Sequence, residues 1–216
     1  MKRVACVLMV MMLSGIAYGT EAQTEARISN QRYGVLVDFG FGGSFSQVYE
    51  YKGEKYKYDH NYALTKGISF YSIWQFNDIV SIGIDARLLL WNEEDDDLNG
   101  TSYEKTVDIS PIIRLQNRFD DKFLGFIKFA PGFSIYIPSE DYDESNSTIT
   151  NGYGYNIPFL LGFELALSKN VSMISEVGYM NHIVYGKIKG KGEYEGINPS
   201  YKIDGGQYFF NTGLTF

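Results

Sequence analysis

The chain has 216 residues, with 26 acidic against 19 basic side chains for a net charge of −7, a balance that argues against nucleic acid or anionic lipid as a partner of the whole surface. Its single cysteine, Cys6, sits in the N-terminal apolar run, and no later stretch reaches the roughly 18 apolar residues of a membrane-crossing helix, so a disulfide scaffold and a helical membrane protein are excluded too. With 18 Tyr, 15 Phe and 23 Gly, the composition suits many strands with aromatic belts and tightly packed glycine faces.

Lys2 and Arg3 form a basic head, Val4 to Ile16 an apolar run, and Ala17-Tyr18-Gly19 a small-x-small cleavage site. Residues 1–19 therefore read as a secretory signal peptide, removed before folding. Losing Lys2 and Arg3 takes the 19 bases to 17 and the net charge from −7 to −9. Residues 20–31 are polar and without period, a short periplasmic lead-in, and residues 32–216 carry the fold.

From there, apolar residues recur at every second position, the period of a strand with one greasy face. Strand one runs from about Arg32 to Ser46, with Tyr33, Val35, Val37, Phe39 and Phe41 on the apolar side and Asp38 opposite. A Tyr/Lys-rich stretch, Tyr49 to Asn61, reads as the first long loop. Strand two covers Tyr62 to Gln75, and Phe76-Asn77-Asp78 is a short turn. Strand three, Ile79 to Trp91, sets Val80, Ile82, Ile84, Ala86, Leu88 and Leu90 against Ser81, Asp85 and Arg87. After an acidic loop from Asn92 to Glu104, strand four (Lys105 to Asn117) sets Val107, Ile109 and Ile113 against Asp108 and Arg114. A short turn leads to strand five, Lys122 to Pro138, with Lys128 on its polar face. The loop from Ser139 to Gly152 precedes strand six (Tyr153 to Leu167, polar face Asn156 and Glu164). Ser168-Lys169-Asn170 is the third short turn, before strand seven (Val171 to Tyr185, polar face Ser172 and Glu176). A Gly/Lys-rich loop from Gly186 to Lys202 leads to the final strand.

That last stretch, Gln207 to Phe216, alternates Tyr208, Phe210, Thr212, Leu214 and Phe216 with Gln207, Phe209, Asn211, Gly213 and Thr215, and stops on phenylalanine. It resembles the C-terminal signature of bacterial outer-membrane proteins, in which the closing strand also serves as an assembly signal. Eight strands with long loops and short turns in alternation resemble the small barrels of the OmpA transmembrane domain and OmpX type. The resemblance implies an all-β, eight-stranded, antiparallel up-and-down transmembrane β-barrel in the cell outer membrane, both mature termini periplasmic. Outer-membrane lipids, lipopolysaccharide, the barrel assembly machinery and an extracellular or host surface ligand are the partners it implies.

The polar faces bring Asp38, Asp85, Arg87, Asp108, Arg114, Lys128, Glu164 and Glu176 into the lumen. An eight-stranded barrel has room only for side chains, so these charges are expected to pair and plug it. Pro111, Pro131 and Pro158 fall inside strands and donate nothing to a ladder, so bulges near the loop-side rim are expected there, the sharper alternative being a lateral opening for a lipid chain. Asp95-Asp96-Asp97-Leu98-Asn99-Gly100 fits the opening of a calcium loop, with Asp95, Asp97 and Asn99 as ligands, although the twelfth position is Thr106 where a bidentate Glu belongs. No other cofactor is expected. A lipid A acyltransferase would want an outer-loop His with acid and hydroxyl, for which His60, an acid among Asp95 to Asp97, and Ser102 are the candidates; a deacylase His-x-Ser pair is absent at His182-Ile183-Val184. The expectation is a non-enzymatic surface scaffold, with a lipid A enzyme or a narrow transporter of small hydrophobic molecules as alternatives.

Overall fold

A computed structural model describes residues 31–91, 104–138, 147–191, 195–196 and 198–216. The signal peptide and most of the lead-in lie outside these residues, as do Asp95, Asp97, Asn99 and Ser102. The strands are β1 (Gln31–Tyr51), β2 (Glu54–Asn61), β3 (Thr65–Gln75), β4 (Val80–Trp91), β5 (Glu104–Arg118), β6 (Phe123–Phe129), β7 (Gly132–Ile137), β8 (Ser147–Ile149), β9 (Gly152–Ala166), β10 (Ser172–Gly190) and β11 (Ser200–Thr215). Every pairing is antiparallel. β2 with β3, β6 with β7, and β8 with β9 each continue one stave, and β1 pairs with β11, so the staves number eight and the ring is closed.

Closure is made by the terminal strand: Val35 faces Leu214 and Phe39 faces Phe210 across the β1–β11 seam, with Tyr33 and Phe216 exchanging backbone hydrogen bonds. Tyr208, Phe210, Leu214 and Phe216 all point away from the lumen and are exposed. The three short turns lie at this same end, and one device shapes all of them. Asn77 Oδ1 accepts from the amides of Ile79 and Val80, Asp120 Oδ1 from Lys122 and Phe123, and Ser168 Oγ from Asn170 and Val171. A short oxygen-bearing side chain at the first turn position thus stands in for backbone and fixes the reversal.

The faces divide as the alternation demands, with an apolar exterior and a mostly polar interior. Several boundaries differ from those the sequence suggests. Tyr49 to Asn61 is no loop: β1 runs on to Tyr51 and pairs with β2 through a tight turn in which Lys52 (φ 52°) and Gly53 (φ 83°) are left-handed. The Gly186 to Lys202 stretch is strand at both ends, because β10 continues to Gly190 and β11 begins at Ser200. Lysine and tyrosine mask strands from a reading based on apolar alternation, yet tyrosine is a good strand former and both faces of a projecting hairpin meet water.

The prolines differ too. Strand five is interrupted at Ala130–Pro131, but its partners keep one register across the gap: Phe129 faces Ile113 and Phe133 faces Ile109 on β5, while Phe129 faces Phe159 and Gly132 faces Asn156 on β9. A bulge would have shifted that register. The expected bulges are therefore absent at Pro111, Pro131 and Pro158. Instead the count sets Pro111 opposite Pro131, with Pro158 in the adjoining position opposite Ala130, and the bond from Ala130 N to Pro158 O bridges the gap. The bulge lies in β1, between Phe41 and Ser44, where Gly42 (φ 61°) and Gly43 (φ 86°) are left-handed. A Cβ on Gly43 would lie 2.1 Å from the carbonyl oxygen of Gly206, so glycine is required there twice over.

Candidate functional site

The lumen is filled in layers, and each layer follows from which inward positions hold which residue types. At the turn end Leu36, Tyr71, Ile73, Ile112, Leu124, Phe126, Ala130 and Ile174 form an apolar cluster. Glu164 sits beside it and takes charged hydrogen bonds from both Arg32 and Arg114; the Arg114 guanidinium also lies 4.3 Å above the Phe126 ring.

The middle of the lumen is a ring of charges. Arg87 bridges Asp38 (3.6 Å) and Asp85 (3.3 Å), and Lys128 bridges Asp85 (3.5 Å) and Glu176 (2.7 Å). Asn211 donates to Glu176 at 3.1 Å and Ser69 to Asp38 at 3.0 Å. All five charged side chains are at most 4% exposed. Two cations serve three carboxylates, and Asp38 Oδ2, Asp85 Oδ1 and Asn211 Oδ1 accept no hydrogen bond among the described residues.

Asp108 stands above the ring. It accepts from Ser134 at 2.6 Å and meets His182 Nε2 at 2.9 Å; Asn156 supports Ser134, and Ser110 donates to Asn156. Ser110, Asn156 and Pro158 line the same part of the lumen as Asp85, Arg87 and Asp108. Beyond a small Leu89–Met180–Phe209 cluster, the loop end is aromatic: Phe45, Tyr62, Trp91, Tyr136, Val184, Tyr201 and Ile203 pack together. Phe45 lies 4.7 Å from Tyr62 and 5.3 Å from Trp91, and Trp91 lies 5.7 Å from Tyr136, centroid to centroid. Trp91 Nε1 donates to Thr106 and the Tyr136 hydroxyl to Glu104, so the polar tips are satisfied inside the cluster. The cavity left among these rings is about 20 Å³, room for one water.

All eight lumen charges named from the sequence, Asp38, Asp85, Arg87, Asp108, Arg114, Lys128, Glu164 and Glu176, are buried inside the barrel. Three inward groups escaped that reading. Arg32 is the second residue of β1, Glu104 opens β5 where the sequence suggests the end of a loop, and His182 on β10 shares parity with Glu176 and Met180. That parity was the available signal. His60 is on β2, stacked 5.2 Å from Phe45, and not in a loop. Among the described residues no group of His, Cys, Asp or Glu is arranged to hold a metal ion.

No family model matches the chain, and no curated protein does. Solved structures do. The outer membrane protein OprG from Pseudomonas aeruginosa matches over 84% of this chain and 94% of its own, at 13% identity and a TM-score of 0.56. The outer membrane protein AlkL in lipid bilayers matches over 91% of this chain and 94% of its own, at 12% identity and a TM-score of 0.50. The fold is that of a small outer-membrane barrel. Identities this low establish the architecture, and the layered lumen then describes this chain in particular.

Proposed function

We propose that this protein is an outer-membrane barrel that does not conduct, a sealed scaffold that presents its loop end to the cell exterior. The observation that carries this reading is the filling of the lumen: apolar cluster, charged ring and aromatic cluster follow one another, and the cavity among the aromatic rings holds about one water. The exterior fits a bilayer, with apolar residues on the outward face of every stave and the termini and short turns gathered at one end. On this reading that end is periplasmic. The β1–β2 hairpin, with exposed Tyr56 and Tyr58 and a Lys57–Asp59 pair, projects into the medium as a recognition surface for lipopolysaccharide or a host ligand. The reading is non-enzymatic: His182 and its partner Asp108 lie inside the filled lumen, and His60 stacks on Phe45. Reconstitution into planar bilayers tests it. Silent membranes are the expected outcome, and stable ionic conductance from the unmodified chain would overturn the sealed lumen.

The proline row favours a second reading, passage of a small hydrophobic molecule from the aromatic cluster sideways through the wall. Two facing prolines leave that part of the ladder without amide donors. Vesicle-trapped uptake of an apolar fluorophore, faster with the barrel than without it and slowed when Pro131 is replaced by Ala, would favour passage over the sealed scaffold.

A further inference from the structure

Where lysines stand on the outer face of the barrel, two arrangements occur. Three lysines on the β1–β2 hairpin and β11 have an acid: Lys57 meets Asp59 at 2.9 Å, Lys202 meets Asp204 at 2.6 Å, and Lys55 meets Glu50 at 3.7 Å. Lys66 on β3 and Lys105 on β5, like Lys187 and Lys189 on β10, have none among the described residues. The register sets Lys66 opposite Leu90 and Leu90 opposite Lys105, so the two ammonium groups flank one leucine of β4 on the outward face, with their backbones about 10 Å apart. No outward residue of β3, β4 or β5 is acidic.

Below the lysines, toward the turns, the same three staves are apolar. The next outward row is Ile68, Leu88 and Val107, and in the row after it Ala86 leaves a shallow dip between larger neighbours. Two cations with no acid beside them among the described residues therefore cap an apolar strip at the loop-side edge of the lipid-facing surface. Snorkelling alone would place a lysine at such an edge. It gives no reason for two lysines to share one outward row across a single leucine, where both ammonium groups can reach one headgroup position.

We infer that Lys66 and Lys105 clamp the phosphate of a membrane lipid carrying a phosphate monoester, whose acyl chain lies down the β4 strip between them. The inference rests on the outer-membrane reading above. A monoester bears up to two negative charges and several acceptor oxygens, which matches two ammonium groups spaced to reach it from either side. Each basic residue near an anionic surface contributes attraction that vanishes for a zwitterionic headgroup.

The test uses the full mature chain in nanodiscs of phosphatidylcholine with a minor share of phosphatidic acid, the lipid retained by the barrel being read by native mass spectrometry. Retention of phosphatidic acid should exceed that of phosphatidylcholine by roughly tenfold, corrected for abundance. Lys66→Gln/Lys105→Gln should bring the ratio to about one, while Lys66→Arg/Lys105→Arg should preserve it. A Lys187→Gln/Lys189→Gln variant, altered elsewhere on the exterior, should retain it as well. Absence of enrichment in the unmodified chain, enrichment that survives the Lys66→Gln/Lys105→Gln change, or loss in the Lys187→Gln/Lys189→Gln variant each overturns the clamp. A chain that fails to enter the bilayer at all overturns the membrane reading along with it, whereas insertion without lipid preference overturns the clamp alone.

Discussion

The charged ring and the aromatic cluster occupy the same cylinder a few residues apart and are stabilised by opposite physics. In the ring, each group was costly to desolvate and is tolerable only because its partners remain: remove one and the others are stranded. In the aromatic cluster, each ring contributes by leaving water and by filling space, and its loss leaves a cavity whose cost depends on how far the neighbours relax. Two sets of residues can thus seal a lumen equally well and respond quite differently to change.

The largest expected effect is therefore in the ring. Arg87→Ala removes the cation between Asp38 and Asp85 and should destabilise the barrel by about 3–5 kcal/mol, measured by denaturant unfolding in detergent. Adding Asp38→Asn should restore a substantial part, since one stranded charge goes with it. If the double variant is no more stable than Arg87→Ala, the ring is not a coupled charge unit and the comparison breaks.

Trp91→Ala should cost slightly less, on the order of 3 kcal/mol, through the cavity and the lost bond to Thr106. It sharpens the contrast because no charge-removing second change should rescue it, while a Trp91→Phe change should keep about half of the stability. Rescue of Trp91→Ala by Glu104→Gln would show that the cluster, too, is governed by charge.

Much of this division was legible from the alternation. Ile82, Ile84 and Leu88 outward against Asp85 and Arg87 inward needs only a period of two, and the closing strand from Gln207 to Phe216 reads the same way. The aromatic cluster was not legible, because Phe45, Tyr62, Trp91, Tyr136 and Tyr201 come from five staves and look in sequence like loop or belt residues. The glycine bulge after Phe41 reverses the parity of β1, so that Phe45 turns inward although it shares odd numbering with outward Phe41. A simple count carried past Gly43 assigns it to the wrong face. Pro111 and Pro131 face each other only once the register is known, which depends on turn geometry as much as on the strands.

That bulge supplies the third prediction. Gly43→Ala forces a Cβ into left-handed backbone against the Gly206 carbonyl and should cost about 1–3 kcal/mol, read by unfolding as before. The loss should fall on the aromatic side of the division, loosening Phe45 and its neighbours, and near-ultraviolet circular dichroism should weaken before far-ultraviolet signal does. Loss of both together would mean that the two layers unfold as one.

The smallest effect compares one bond made twice, in water and in the lumen. Ser69 donates to Asp38 inside the barrel at 3.0 Å; on the projecting hairpin Ser46 donates to Asp59 at 2.5 Å, with Lys57 on the same carboxylate. The Ser46 hydroxyl, followed by the Lys57 ammonium, holds the Asp59 carboxyl below its ordinary value. A carboxyl depressed on folding contributes stability that is present above its unfolded pKa and is lost as pH falls through the lower, folded value. Acid should therefore loosen the β1–β2 hairpin before it disturbs the barrel. Amide hydrogen exchange at Tyr58 and Asp59 should rise over that acidic window, and Ser46→Ala should move the midpoint upward toward the ordinary carboxylate range. In the lumen the same deletion, Ser69→Ala, should act on stability at neutral pH instead, by leaving a buried carboxylate oxygen without its donor at about 1–3 kcal/mol. A hairpin titration unmoved by Ser46→Ala would show that Lys57 alone sets the Asp59 carboxyl, and that the shared geometry of the two pairs carries no common chemistry.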